Sequence, residues 1–233
     1  MIRTIPRDEF LTQRWRYRAG EHVTILGPTD CGKTHLAFQL LGATARPGLP
    51  AMNLVMKPRD STVDTWGRTL GFRRHVDWPP PFNPLRRNPS GWNVWPKHTF
   101  NPAYDDWVLE NVFRRSILDS YKRGQRIIFA DEAAGLVNDL NLGRELKAVW
   151  MRGRSMGTGM WASSQRPVEI PLHAYSQAAH LFLAYDPDKR TRDRYDEIGG
   201  IDPKVVAGAV LKLPKWHFLY LRRDGQRIAV IEP

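Results

Sequence analysis

The most restrictive feature of the sequence is the segment GPTDCGKT, Gly27–Thr34, which matches the phosphate-loop pattern G-x-x-x-x-G-K-[ST] in full. The apolar run Glu21–Leu26 precedes it and predicts a buried strand, and Gly32–Leu41 follows it with the spacing of an amphipathic helix. Because strand, glycine-rich loop and helix occur in this order, we expect an α/β fold with a mainly parallel sheet.

The chemistry of this loop depends on its backbone and on two side chains. Glycines permit a tight turn, so that successive N–H groups can point inward and hold phosphate oxygens. Lys33 can neutralise the β- and γ-phosphates of ATP, and Thr34 can ligate Mg²⁺. Cys31 occupies a variable position with no expected role, although a thiol near a helix N-terminus can be acidified. The predicted nucleotide-binding residues are Gly27, Pro28, Thr29, Asp30, Cys31, Gly32, Lys33 and Thr34.

A second signal is the apolar run Arg126–Ala130, which predicts a buried strand that ends in two acids. The carboxyl edge of a parallel sheet is where ligands bind in α/β proteins. We expect Asp131 to hold Mg²⁺, directly or through water, and Glu132 to orient and deprotonate a water aimed at the γ-phosphate. The alternative is an exposed Asp-Glu turn after a core strand.

Two further signals lie later in the chain. Gln165 follows the predicted strand Met160–Ser164, where its amide could sense the γ-phosphate or cap the strand. The predicted helix Gly143–Met156 carries Arg152 and Arg154 near its end. One of them, with Arg154 slightly preferred, could act as an arginine finger on a neighbouring subunit's nucleotide. The alternative is that both are surface charges favoured by the helix dipole.

Length, charge and cysteine content limit the classes of protein to which the chain could belong. The 233 residues, 42% of them hydrophobic, suit one large globular domain or two small ones. No apolar run is long enough to span a membrane, and the N-terminus lacks the apolar region of a secretory signal. A single cysteine allows no internal disulfide and suits a reducing cytosol. The net charge of +11 favours contact with nucleic acid, although an arginine-rich coding bias would also produce it.

The other predicted elements alternate between strand and helix, with antiparallel additions expected from the two termini. They are strands at Ala51–Met56 and Leu181–Tyr185, helices at Ser61–Leu70 and Asp105–Arg123, a polar helix from Asp186-Pro187 to Gly199-Gly200, and a hairpin of Trp216–Leu221 and Arg227–Ile231 around Asp224-Gly225.

Residues 72–103 form a proline-, tryptophan- and arginine-rich insertion that we expect to be irregular, with Gly91–Trp95 as a short strand. Trp92 and Trp95 could stack on unpaired bases, but a satellite core is the stronger expectation. The residues that could grip DNA phosphates are Arg86, Arg87, Lys97, Arg190, Arg192 and Arg194.

The order of the motifs GPTDCGKT, IIFADEA and RGRSMGTGMWASSQRP resembles the FtsK–HerA superfamily of P-loop DNA-translocating ATPases over roughly residues 20–200. HLFLAYDPDKRTRDRYDEIGG also resembles the strand and helix that follow in FtsK-like motors. The size is similar to viral genome-packaging ATPases and short FtsK/SpoIIIE-like proteins.

The resemblance implies a RecA-like ASCE core with helices on both faces of the sheet, in a single ATPase domain over residues 1–233. It also implies a ring of five or six subunits and Mg-ATP hydrolysis at their interfaces. Lys33, Thr34, Asp131, Glu132 and Gln165 match the family's positions.

The leading hypothesis is therefore an ATP-driven DNA translocase that packages a genome or transfers DNA. Such a motor would hold DNA, expected to be double-stranded, without reading its sequence. It would work in the host cytoplasm or on a virion beside a portal, capsid or membrane protein, without entering the membrane itself. Three alternatives stay open: a protein-directed ATPase of the same superfamily, a P-loop small-molecule kinase, and a nucleotide-gated switch with negligible turnover.

Overall fold

The structure, a computed structural model, describes residues 2–81, 87–165, 169–198, 201–223 and 227–233. The strands of this part of the chain are β1 (Arg3–Pro6), β2 (His22–Leu26), β3 (Ala51–Leu54), β4 (Arg73–His75), β5 (Gly91–Val94), β6 (Arg126–Ala130), β7 (Thr158–Ser164), β8 (Ala178–Leu183), β9 (Phe218–Arg222) and β10 (Arg227–Glu232). The α-helices are α1 (Arg7–Glu9), α2 (Lys33–Gly42), α3 (Ser61–Thr69), α4 (Pro102–Arg123), α5 (Ala133–Asn138), α6 (Gly143–Arg152), α7 (Leu172–Ser176), α8 (Lys189–Asp193) and α9 (Pro203–Val210). Short helical turns of other types cover Phe10–Arg14, Gly153–Met156 and Arg194–Glu197.

The ten strands form one sheet in the order β1-β10-β9-β8-β2-β7-β6-β3-β5-β4. Every pairing from β8 to β4 is parallel, whereas β9 runs antiparallel to both β8 and β10. Strand β7 lies between the phosphate-loop strand β2 and the acidic strand β6. The predicted α/β fold class, with a mainly parallel sheet and antiparallel additions, is confirmed.

Alternating residues of the central strands enter two separate cores. Ile127 and Phe129 of β6 pack on one face with α2 and α3, whereas Ile128 and Ala130 pack on the other face with α4 to α7. Period-two alternation between two apolar layers is what a strand buried on both faces requires. The helices therefore cover both faces of the sheet, as predicted.

The insertion is more regular than its composition predicts. Besides the expected strand at residues 91–94, Arg73–His75 adds β4, and both extend the sheet in parallel beyond β3. Stacking on bases, the weaker of the two alternatives for these indoles, is wrong, because Trp92 is 8% exposed and Trp95 is 1% exposed. Trp92 packs edge-on against Trp78 in one main core, with ring centroids 5.5 Å apart, and Trp95 lies in the other main core. The expected separate satellite core is therefore wrong as well, because the indoles join the two cores of the sheet.

Several predicted boundaries move for local reasons. Helix α4 begins earlier than Asp105 because Asn101 caps it and Pro102 occupies its first turn. The polar helix after β8 is capped by Asp188 instead of Asp186 and passes into the turn Arg194–Glu197. The N-terminal strand β1 pairs with β10 in parallel, not antiparallel as expected.

The terminal hairpin is present as the antiparallel pair β9–β10, although β9 begins at Phe218 and leaves Trp216 outside the strand. Its expected turn at Asp224-Gly225 and the helix end at Gly199-Gly200 lie outside the described residues, as does Arg86. Among the helices that the structure describes, none is both long and apolar enough to cross a bilayer.

Candidate functional site

The candidate site lies where the parallel central strands end together. Leu26 of β2 pairs with Ser164 of β7 and with Leu183 of β8, and Ala130 of β6 pairs with Ala162 of β7. The residues that follow these strands therefore emerge along one edge of the sheet. In this way the fold brings Gly27, Asp131 and Gln165 together from three distant parts of the sequence.

The phosphate loop has the tight geometry that its glycines predict. Gly32 adopts φ 92° immediately before α2, a left-handed conformation that L side chains rarely adopt. A Cβ on Gly27 would lie 2.5 Å from Cβ of Ala184 and 2.9 Å from Sγ of Cys31. The loop therefore packs closely against the end of β8 before the chain enters α2.

The buried side chain of Lys33 hydrogen-bonds to the backbone of the phosphate loop. It is 8% exposed, and its Nζ donates hydrogen bonds of 2.8 Å to the carbonyl oxygens of Gly27 and Pro28. A buried ammonium is costly unless it is hydrogen-bonded, so these carbonyls fix its position. The charge is consequently placed among the backbone N–H groups expected to hold polyphosphate.

Thr34 and Asp131 form the pair predicted to hold a metal. The Thr34 hydroxyl donates a 2.8 Å hydrogen bond to Oδ2 of Asp131. The other oxygen, Oδ1, is buried and has no hydrogen-bond partner among the residues that the structure describes. A hydroxyl beside a carboxylate with an unsatisfied buried oxygen suits Mg²⁺, which takes oxygen ligands and is usually held by few protein groups.

A chain of hydrogen bonds connects the loop to the second acid. The Thr29 hydroxyl donates to Oε1 of Gln165 at 2.9 Å, and Nε2 of Gln165 donates to Oε2 of Glu132 at 3.2 Å. Gln165 thus uses the acceptor of its amide toward the phosphate loop and the donor toward the acid.

The surroundings of Glu132 raise its pKa on balance. Burial raises the pKa of Glu132 above its usual value, and the Asp131 charge adds to this effect. The hydrogen bond from Gln165 and the Lys33 charge lower the pKa and offset part of the shift. A carboxylate with a raised pKa is a stronger base once deprotonated, which suits it for accepting a proton from water.

These side chains surround a cavity of about 240 Å³. Its wall includes residues from the end of β3 and the start of α3 that the motif analysis missed, namely Asn53, Lys57, Asp60 and Thr62. The available signal was the position of Ala51–Leu54 as another parallel strand ending at this edge. Lys57 adds a cation there, although it is paired with Asp60 at 3.4 Å.

Cys31 does not carry an acidified thiol. Its side chain is buried in the core, and burial raises the pKa of the thiol, while the nearby Lys33 charge offsets only part of that shift. The possibility raised from its place near a helix N-terminus is therefore wrong, because desolvation of the thiolate outweighs the favourable charges. Cys31 contributes packing against Gly27 to the loop.

Arg152 and Arg154 are exposed and lie at the opposite edge of the sheet. The turn that contains Arg154 packs closely against Gly20, because a Cβ added to Gly20 would lie 2.7 Å from the Arg154 carbonyl oxygen. The seven residues of β7 separate this turn from Gln165, a distance of about 20 Å. Neither arginine can therefore reach the cavity of its own chain, and both side chains are exposed to solvent.

The predicted DNA contacts are distributed over the surface. Arg87, Lys97 and Arg190 are exposed. Arg192 and Arg194 are half-buried; Arg192 donates to the Asp186 carbonyl, and the Arg194 guanidinium lies over the Tyr175 ring. Because residue 87 precedes β5 and residue 97 follows it, the insertion residues lie toward opposite edges of the sheet.

Comparison with known structures identifies the fold. The genome packaging NTPase B204 from Sulfolobus turreted icosahedral virus 2, in complex with sulfate, superposes with a TM-score of 0.65 at 18% identity, covering 93% of this chain and 98% of that one. Further structures of that NTPase contain AMPPCP or ATP-gammaS.

Two bacterial proteins share the fold. VirB4 of Thermoanaerobacter pseudethanolicus has a TM-score of 0.66 at 10% identity, covering 91% of this chain and 89% of that one. ATPases 2 and 3 of EssC from Geobacillus thermodenitrificans have a TM-score of 0.55 at 11% identity, covering 93% of this chain and 40% of that one. No family model matches the sequence, and no curated protein matches it either. The chain therefore has the fold that these NTPase and ATPase structures share.

Proposed function

We propose that this chain is an ATP-driven motor that hydrolyses Mg-ATP at subunit interfaces of a ring and moves double-stranded DNA, as in genome packaging. One observation carries the proposal: Lys33, Thr34, Asp131, Glu132 and Gln165 meet around a single cavity at the carboxyl edge of the sheet. A phosphate loop, a metal-binding pair and a carboxylate base are the parts that ATP hydrolysis requires.

Binding rests on the loop and the metal pair. The backbone N–H groups around Gly32 and the N-terminus of α2 receive the polyphosphate, and the Lys33 ammonium neutralises its charge. Thr34 and Asp131 would hold Mg²⁺, which when bound draws negative charge from the phosphate oxygens. Complexes of B204 with AMPPCP and ATP-gammaS support ATP as the nucleotide.

The hydrolytic step rests on Glu132. Its deprotonated carboxylate orients a water toward the γ-phosphate and accepts the proton that the water loses. Gln165 lies between the loop and this base, so that its amide is placed to respond when the γ-phosphate is present or lost. A small-molecule kinase has no need of a water-activating acid and its amide partner here.

Movement of DNA is supported by charge and by similarity. The chain has a net charge of +11, and the fold matches that of a protein described as a genome packaging NTPase. A motor that steps along every sequence must hold phosphates, so its affinity for DNA should fall steeply as salt rises.

The test is an ATPase assay with and without duplex DNA across a salt series, with measurement of the particle mass. We expect stimulation by DNA that fades with salt, in an assembly of five or six subunits. Lys33→Ala should lose nucleotide binding, and Glu132→Gln should bind ATP but lose turnover. Turnover of Glu132→Gln at the parental rate would show that the base is assigned wrongly, and a monomer indifferent to DNA would contradict the motor.

A protein-directed ATPase is the second candidate, because the fold also matches EccC, a type VII secretion ATPase from Thermomonospora curvata, with a TM-score of 0.54 at 11% identity over 90% of this chain and 23% of that one. It predicts stimulation by a protein partner and indifference to DNA. The same assay therefore separates the two candidates.

A further inference from the structure

Trp216 has an unusual position beside the phosphate loop. It lies between α9 and β9 with 52% of its surface exposed, and its backbone adopts φ 65°. A positive φ is a genuine outlier for a bulky side chain. The backbone strain and the exposure of the ring call for a reason beyond packing.

The segment around Trp216 is held in place by the N-terminal region. Arg7, which is buried, donates a 2.6 Å hydrogen bond from Nη2 to the Trp216 carbonyl and a 3.5 Å bond from Nη1 to Gln39 of α2. The guanidinium also lies 5.8 Å from the centre of the Phe218 ring. The strained backbone is thus fixed before any ligand binds, and it is fixed to the helix that starts at the phosphate loop.

The Trp216 ring closes a hollow that is continuous with the loop. Its Cδ1 lies 3.4 Å from the position that a Cβ on Gly32 would occupy. A cavity of about 420 Å³ extends from Lys33, Thr34 and His35 to Trp216, and Lys215 completes its wall. Lys215 places its ammonium over one face of the Trp216 ring, 4.8 Å from the ring centre, and Asp30 also lines this cavity.

The direction of a bound nucleotide follows from the two ends of the loop. The γ-phosphate must lie toward Glu132 and Gln165, since the water is activated there. The α-phosphate and the nucleoside must then leave in the other direction, past Thr34 and His35 at the start of α2. That path leads into the hollow that Trp216 closes. A nucleobase needs a flat apolar surface to stack on, and an exposed indole provides one.

We propose that Trp216, with Lys215 beside it, is the nucleobase-binding wall of the site and that the base stacks on the indole. This inference rests on the proposed nucleotide-binding function and specifies where the nucleoside binds. Every base has a π face, so stacking supplies affinity without choosing between adenine and guanine. Removing the indole should therefore weaken ADP and GDP alike and leave pyrophosphate unaffected.

The test compares the binding of ADP, GDP and pyrophosphate, each with Mg²⁺, by calorimetry to the whole chain. Because none of these ligands contains a γ-phosphate, hydrolysis does not interfere. We expect Trp216→Ala to weaken both nucleotides about 10-fold and pyrophosphate by less than about 2-fold. Trp216→Phe retains a stacking surface and should recover most of the affinity. Trp107→Ala removes an indole that is 60% exposed on α4 and should change nothing.

Two results would overturn the assignment of Trp216 and leave the nucleotide site standing. In the first, Trp216→Ala binds ADP as the parent does. In the second, ADP and pyrophosphate weaken equally, which would mean that the substitution disturbs the phosphate loop. Failure of the parent chain to bind either ligand would overturn the proposed function itself, and this inference with it.

Discussion

At the scale of single residues, the contact between Gln165 and Glu132 affects the pKa of the acid that we propose as the base. Burial raises the pKa of Glu132, and the hydrogen bond from the Gln165 amide opposes that shift. A general base accepts a proton only when it is deprotonated, so with Glu132 in this proposed role we expect activity to fall as the pH drops through the raised pKa.

Gln165→Leu should therefore move the acid limb of the profile of kcat/KM against pH to higher pH, since it removes a hydrogen bond that lowers the pKa of Glu132. The measurement is steady-state ATP hydrolysis from pH 5 to 9 in parent and variant. Thr29→Val, which leaves the bond from Gln165 to Glu132 intact, serves as the matched control. An unchanged acid limb in Gln165→Leu would show that Glu132 does not govern the rate.

His22 makes a separate prediction about stability. Burial is the main cause that lowers the pKa of His22 to about 4, and its Nδ1 accepts a 2.9 Å hydrogen bond from the Met160 N–H. Between this value and the unfolded pKa near 6.5, the unfolded chain binds more protons than the folded one. The free energy of unfolding should therefore fall as pH drops from about 6.5 to about 4, by roughly 3 kcal/mol from this group.

His22→Asn keeps an acceptor for the Met160 N–H and removes the titration, so the dependence on pH in this range should flatten. Urea unfolding at pH 7 and pH 4.5 measures the difference. His35→Asn, at an exposed position, should retain the parental dependence. An equal loss of stability in parent and His22→Asn would rule out His22 as the source.

At the scale of elements, the insertion is attached to the core by Trp78. Its indole packs edge-on against Trp92, and Nε1 donates to Asp119 of α4 at 3.1 Å. Arg115 of the same helix donates to the Trp78 carbonyl at 2.7 Å. The two edge strands and α4 are therefore joined through one buried side chain.

Trp78→Ala should lower the free energy of unfolding by about 3–5 kcal/mol, because it leaves a cavity in this core. Chemical denaturation measures the loss. Trp107→Ala, on the exposed face of α4, should change stability by less than about 0.5 kcal/mol. A similar small effect of Trp78→Ala would mean that the insertion is not held through this residue.

The elements also show what the sequence could predict. Strand β6 was predicted with its observed bounds because its apolar residues, buried on both faces, form a continuous run. Strand β4 was missed because its residues, Arg73, Arg74 and His75, have no apolar pattern and lie at the sheet edge. Tertiary pairing with β5 decides its conformation.

The residues of the candidate site could likewise be predicted only where a local sequence pattern marks them. Lys33, Thr34, Asp131, Glu132 and Gln165 were predictable because each follows a strand or lies in a motif of fixed spacing. Trp216 was expected inside a strand, and nothing local indicates that its backbone has a positive φ or that it approaches Gly32. Such contacts between distant segments arise only from the folded chain.

At the scale of the whole molecule, the exposed arginines and the cavity lie on opposite edges of the sheet. In the proposed ring, Arg152 or Arg154 could therefore act only on the ATP of another subunit, across a head-to-tail interface of the kind that closes rings. Arg154 remains the preferred candidate, and Arg152 the alternative.

Mixing two inactive variants tests this arrangement. Arg154→Ala keeps the cavity, and Glu132→Gln keeps the arginine, so a mixed ring contains some interfaces with both parts intact. We expect the mixture to hydrolyse ATP faster than either variant alone. A mixture no faster than its components, in particles of confirmed ring size, would remove Arg154 from this role, and the same experiment with Arg152→Ala would test the alternative.

The buried guanidinium of Arg7 has a consequence for the beginning of the chain. It joins α1 both to the Trp216 carbonyl and to Gln39. If the base rests on that indole, an occupied site must also steady α1, since a ligand that prefers one arrangement stabilises every group the arrangement requires. Amide hydrogen exchange across residues 7–14 should then slow when ADP is added and should not slow when pyrophosphate is added. The exchange rate of this segment would thus show whether a nucleoside is bound.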